Sequence, residues 1–111
     1  MRKLYFTVLF FLVSISLVLF LGAHSGVQAD GKSGASLFKE HCAVCHPDGG
    51  NIINTKKTLN KKDREASGIK TKDDILKVMR NPGPGMSAFD AKLISDKDAT
   101  EIAEYIIKTF K

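Results

Sequence analysis

In a chain of 111 residues with two cysteines and three histidines, both cysteines and one histidine fall within a single pentapeptide, Cys42-Ala43-Val44-Cys45-His46. This is the C-x-x-C-H spacing of covalent haem attachment. Two thiols about one helical turn apart reach the two vinyl groups on one edge of a porphyrin, and the adjoining histidine reaches the iron from the same side. Three other readings compete: a structural disulfide, a thioredoxin-like redox pair, and chance. A disulfide closing so short a loop would remove little chain entropy. A redox pair belongs to a strand-and-helix alternation that the surrounding sequence lacks. An exported thiol–disulfide oxidoreductase using Cys42 and Cys45 is kept as the alternative function.

An iron held by His46 has a second face to fill. His24 lies in the leading apolar segment and His41 adjoins the attachment motif on its own side, so no second histidine is available. Met79 and Met86 are left. Met79 stands among Ile75, Leu76 and Val78 in an apolar helical run, the setting of a core gap-filler. Met86 follows Pro82-Gly83-Pro84-Gly85, a stiff segment poor in side chains that lets backbone come close to a flat ring. A thioether is a neutral, soft ligand suited to iron, so Met86 is the expected axial partner of His46. With both positions filled by protein, no site stays open for oxygen or peroxide. The expected chemistry is single-electron transfer, not catalysis.

Short helices must position these groups. Residues 35–45 form a helix with Leu37 and Phe38 on its apolar side and the two cysteines at its end. Asn60 with Asp63 resembles an N-terminal cap and Gly68 a stop, giving a helix over 61–67. Thr71 with Asp74 opens a helix that ends near Asn81, because Pro82 disfavours helical geometry in the residue before it. Ser95 with Asp98 opens the last, where Ala99, Ile102, Ala103, Ile106 and Phe110 recur at helical spacing. Nothing alternates with a strand's period of two. Residues 30–111 hold only four aromatics, Phe38, Phe89, Tyr105 and Phe110, a thin core that calls for a bulky apolar partner.

Ahead of this domain, Arg2 and Lys3 precede an uncharged run over residues 4–23, and small residues stand at Val27 and Ala29. Residues 1–29 read as an export signal cleaved after Ala29. The run of about 20 residues also suits an uncleaved membrane anchor. Either way, positive charge at the N-terminus sends residues 30–111 across the membrane. No cysteine follows the run closely, which excludes a bacterial lipoprotein, and the expected compartment is the periplasm. Membrane contact is expected only if the segment is retained.

Charge is uneven along the mature chain. Residues 56–80 hold nine Lys+Arg against four acids, whereas 30–55 and 81–111 are each −1. Without interleaved aromatics this is a poor nucleic-acid surface. It reads either as a solvated basic face or as a means of steering towards an acidic redox partner.

The wider pattern resembles the class I c-type cytochromes, and among them the small cytochrome c6 (cytochrome c-553) type. The resemblance covers residues 34–110. It rests on Gly34 and Phe38 before the pentapeptide, Gly49-Gly50-Asn51, Lys57-Thr58-Leu59, Met86-Ser87-Ala88-Phe89 and Ala103-Glu104-Tyr105. It implies an all-α fold of about four short helices and loops wrapped around one covalently attached haem c. It also implies a monomeric electron carrier whose partners are other redox proteins. Gly34 and Phe38 would lie where the first and last helices cross, with Tyr105 against the glycine; Leu59, Val78 and Phe89 would contact the haem. Photosynthetic members often carry Pro after the ligand methionine and Gln eight residues before it, where this chain has Ser87 and Val78. Loss of the Gln argues against a high-potential photosynthetic role.

Overall fold

Ser33 starts the first helix: its hydroxyl accepts the Ser36 amide at 3.2 Å, and α1 runs Gly34–His41. The computed structural model describes residues 1, 3–5 and 31–111, so the reading of residues 1–29 as a leader falls almost wholly outside the described residues. The helix thus begins one residue before the expected 35, with its cap at Ser33. α1 also stops short of the expected end. The backbone keeps turning beyond it, with the Cys42 amide on the Phe38 carbonyl at 2.8 Å and the His46 amide on the Cys42 carbonyl at 2.9 Å. Next comes a single 3-10 turn, Pro47–Gly49, where Asp48 and Gly49 both take left-handed φ of 51° and 77°. Two such residues in succession reverse the chain beneath His46.

α2 spans Lys61–Ala66. Asn60 occupies its cap position, but its side chain makes no capping bond. Thr58 instead ties the start of the helix to the chain before it: its hydroxyl accepts the Asn60 amide at 3.2 Å and donates to the Asp63 carboxylate at 2.5 Å. Gly68, at φ 78°, ends the helix, and the Ile69 amide closes on the Arg64 carbonyl at 2.8 Å. α3, Lys72–Arg80, opens with a full Thr71/Asp74 capping box. The Thr71 and Lys70 amides donated to Asp74 hold its carboxyl below the usual carboxylate range. α4, Asp96–Thr109, is capped by Ser95 on the Asp98 amide at 3.1 Å. No strand occurs among the described residues.

α1 and α3 both pack on α4. The core takes Leu37 and Phe38 from α1, Ile75 and Met79 from α3, Ile94 before α4, and Ala99, Ile102, Ala103 and Ile106 from α4. Gly34 lies at the α1–α4 crossing, as the resemblance implies: a Cβ there would run into the Glu101 backbone, 2.9 Å from its carbonyl carbon and 3.0 Å from the Tyr105 Cβ. The Phe38, Tyr105 and Phe110 rings form a three-way cluster, with Phe38 5.2 Å from Tyr105 and 5.4 Å from Phe110 and the latter two 5.9 Å apart. Phe110 also lies against Gly49, where a Cβ would come within 2.7 Å of the ring's Cε1. The two ends of the domain thereby brace the turn that follows the cysteines.

Candidate functional site

His46 is aimed by that turn. The Gly50 amide closes on the Pro47 carbonyl at 2.8 Å, and the Gly50 carbonyl then lies 2.7 Å from His46 Nδ1. A carbonyl only accepts, so Nδ1 carries the hydrogen and the Nε2 lone pair is left for a metal. Such a bond fixes both the tautomer and the orientation of a ligating imidazole.

Cys42 and Cys45 are half-buried free thiols. Burial pushes the Cys42 thiol up to about 11. An exchange-active cysteine is shifted the other way, because the thiolate is the nucleophile. Cys42 is shifted away from that state, and no strand-and-helix alternation surrounds it among the described residues.

The loop after the turn is shaped by Asn51. Its Oδ1 accepts the Ile53 and Asn54 amides at 2.9 Å each, and its Nδ2 donates to the Lys57 carbonyl at 2.9 Å. Leu59 is tied back to the motif by its amide on the Gly49 carbonyl at 2.7 Å. Its own carbonyl accepts from Arg64 Nε at 2.7 Å, and Arg64 Nη2 reaches the Phe110 carbonyl at 3.3 Å. Arg64 is only 5% exposed, so this positive charge is buried among carbonyl dipoles.

Met79 and Met86 occupy different settings. Met79 is 3% exposed inside the core. Met86 is half-buried and packs on the edge of that core, as do Cys42, Ala43, Leu59, Leu76 and Phe89. Gly85 before it has φ 93°, and a Cβ there would lie 3.3 Å from Ile53 Cγ2, so the Met86 loop meets the loop that Asn51 shapes. Phe89 returns the loop to α3, its amide on the Met79 carbonyl at 2.9 Å, and its ring stands edge-on to His41 at 6.5 Å. Val78 is half-buried on α3 and lines an open groove with Leu76, Lys77, Arg80, Asn81 and Asp96. It is not among the side chains packed on the core.

Cys42, Leu59, Met86 and Phe89 are each partly buried and pack against the core from outside it, His46 keeps Nε2 as its lone-pair nitrogen, and Val78 is half-buried on α3. Two half-buried free thiols in C-x-x-C-H spacing, that nitrogen, a thioether and partly buried apolar side chains fit a covalently held haem. Sequence reasoning missed Gly50 as the acceptor for His46 and gave Arg64 and Arg80 no role. The Gly49-Gly50 turn was a visible sign of the first; the arginines offered no local sign.

A family model described as cytochrome c oxidase, cbb3-type, subunit III matches residues 29–106. Cytochrome c6 from Nostoc sp. is 31% identical over 107 residues, covering 96% of this chain and 93% of that protein. Cytochrome c6 from Synechocystis sp. is 33% identical over 104 residues, with 89% and 86% covered. Among solved structures, outer membrane cytochrome F from Geobacter sulfurreducens is 48% identical with a TM-score of 0.70, covering 71% of this chain and 100% of that one. Cytochrome c6C from a Synechococcus species is 28% identical with a TM-score of 0.66, covering 71% and 95%. The chain belongs to the class I c-type cytochromes, as a monohaem electron carrier that resembles cytochrome c6, binds one haem c covalently and is not an enzyme.

Proposed function

We propose that the haem is joined through Cys42 and Cys45, with His46 and Met86 on its two faces, and that the protein passes single electrons between redox proteins of the periplasm. The observation that carries this reading is the 2.7 Å bond from His46 Nδ1 to the Gly50 carbonyl, which leaves Nε2 as the lone-pair nitrogen of the residue that directly follows Cys45. The haem supplies the one-electron couple; the chain holds it, excludes water and sets its potential. Leu59, Val78 and Phe89 are proposed to contact the ring. Residues 1–29 are proposed to direct export, by a cleaved signal or an uncleaved anchor, ahead of a cytochrome domain over 30–111. Lys56, Lys57, Lys62 and Lys70 stand exposed in the basic stretch, which suits an acidic partner.

Mass spectrometry of the protein purified from the periplasm, boiled in denaturant, tests attachment and processing together. The expected mass is that of a chain starting at Asp30 plus one haem, and Cys42→Ala with Cys45→Ala is expected to release the haem completely. A bare-chain mass would refute the attachment, and an intact Met1 would select the anchor.

Val78→Gln is expected to raise the midpoint potential. An amide facing the ring adds polarity where an apolar contact offers no hydrogen-bond donor, and the polarity around an axial-ligand set tunes its potential. A redox titration beside the wild type, with Met86 ligation checked spectroscopically, decides. An unchanged midpoint in a correctly folded variant would show Val78 to be ordinary packing.

A further inference from the structure

The segment carrying Met86 leaves the body of the protein at Arg80, the last residue of α3, and returns at Phe89. Phe89 is gripped by both of its backbone groups. Its N–H donates to the Met79 carbonyl at 2.9 Å, and its carbonyl accepts from Arg80 Nη1 at 2.7 Å. Arg80 Nη2 donates onward to the Ile94 carbonyl at 3.0 Å and to Asp96 Oδ1 at 2.7 Å. One side chain at the departing foot of the loop therefore holds the returning foot and the start of α4.

The loop has little stiffness of its own beyond its prolines. The Met86 amide meets the Gly83 carbonyl at 3.5 Å, which is long for a hydrogen bond, and Pro82 and Pro84 have no amide hydrogen to give. Within it Met86 packs on the core and Gly85 meets Ile53; its hydrogen-bonded anchors are at its feet. Met79 is buried in the core, so its carbonyl is a fixed point; the grip on the Phe89 carbonyl depends on Arg80. The three acceptors lie around one planar fork, an arrangement the single point of a lysine ammonium cannot match. They are not equal. Asp96 is 81% exposed, so its ion pair contributes little, whereas the carbonyl bonds are half-buried and charge-assisted.

We propose that Arg80 is the positioning residue for Met86, holding the span between the feet of the loop so that the thioether keeps its place against competing ligands. This rests on the reading of Met86 as the axial ligand. The test is an imidazole titration of the ferric holoprotein, followed by loss of the far-red absorption feature of a thioether bound to ferric iron. A wild type without the feature, or its survival in Met86→Ala, overturns the ligand assignment itself before Arg80 is at issue.

With the feature present, Arg80→Met keeps the aliphatic stem and removes every donor. Imidazole binds only the fraction of molecules whose loop has opened, so its apparent Kd is expected to fall about tenfold or more. Arg80→Lys is expected to fall between Arg80→Met and wild type. Asp96→Asn, which alters only the exposed acceptor, is expected to stay within about twofold of wild type. Helix content by far-UV circular dichroism, measured on the same samples well below unfolding, is expected to be unchanged; a role confined to global stability would leave the imidazole affinity untouched. Affinities within twofold of wild type in both arginine variants, or an Asp96→Asn effect as large as that of Arg80→Met, would overturn the proposal. If Arg80→Met does not fold with haem, Arg80→Lys decides by the same twofold criterion.

Discussion

Gly34→Val is expected to lower stability by about 3 kcal/mol, at the upper end of what overpacking usually costs. The obstacle is backbone. A Cβ at Gly34 would meet the Glu101 carbonyl group, its carbon 2.9 Å away, and Glu101 lies mid-helix in α4. A clash with a side-chain tip is relieved by a rotamer change; this one is relieved only by moving α1 off α4. Moving it disturbs Phe38 in its cluster with Tyr105 and Phe110, and with it the Phe110 ring that lies against Gly49. A thermal melt followed by circular dichroism is therefore expected to show a fall on the order of 15 °C. Gly34→Ala already carries the offending Cβ and is expected to account for much of the loss. Gly83→Ala places a Cβ where nothing lies within 4 Å, so a change below about 0.5 kcal/mol is expected there. Similar small effects at Gly34 and Gly83 would mean that the helices are not in close contact.

What the sequence made legible was local. The Thr71/Asp74 and Ser95/Asp98 signals sit three residues from their partners, and both caps form as expected. Gly68 stops α2 because its φ of 78° suits glycine, a property of one residue. Asn60 shows the limit of such reasoning. Its type and place suit a cap, yet Thr58, two residues earlier, has already taken the Asp63 carboxylate and the Asn60 amide. Whether a suitable side chain closes its cap bond depends on where its oxygen points, which leaves no periodic trace. Arg64 and Arg80 were illegible for another reason. Arg64 reaches Phe110 across 46 positions and Arg80 reaches Asp96 across 16, and each reads locally as one more cation in a basic stretch. The pentapeptide was legible because the spacing of haem attachment is itself local. The Gly50 carbonyl that orients its histidine is only four residues on, but it is a backbone group, and its direction depends on the left-handed Asp48-Gly49 pair.

Met86→Ala is expected to abolish the far-red thioether feature entirely, while Met79→Leu leaves it intact. Burial separates the two methionines: Met79 is 3% exposed with its backbone carbonyl engaged by Phe89, whereas Met86 is half-buried and packs on the core from outside it, as Cys42, Leu59 and Phe89 also do. Leucine replaces methionine in a core at a cost usually below about 1.5 kcal/mol, so Met79→Leu is expected to fold and keep its spectrum. Met86→His is the more informative partner to the alanine variant. It restores a nitrogen ligand of the kind His46 supplies, so the iron can be filled on both faces while the sulfur feature stays absent. Methionine opposite histidine raises the potential of a haem relative to other ligand sets. The midpoint of Met86→His is therefore expected to fall by on the order of 0.1 V or more, within the ~0.8 V range that axial ligands command. Loss of the feature in Met79→Leu with its survival in Met86→Ala would reverse the assignment. It would also require α3 to unwind, because Met79, 3% exposed, belongs to the core that Ile75, Ile94 and the buried residues of α4 also build. A helix content unchanged in Met86→Ala and a sulfur feature gone would together place the ligand on the Pro82-Gly83-Pro84-Gly85 loop and leave α3 as the wall that supports it.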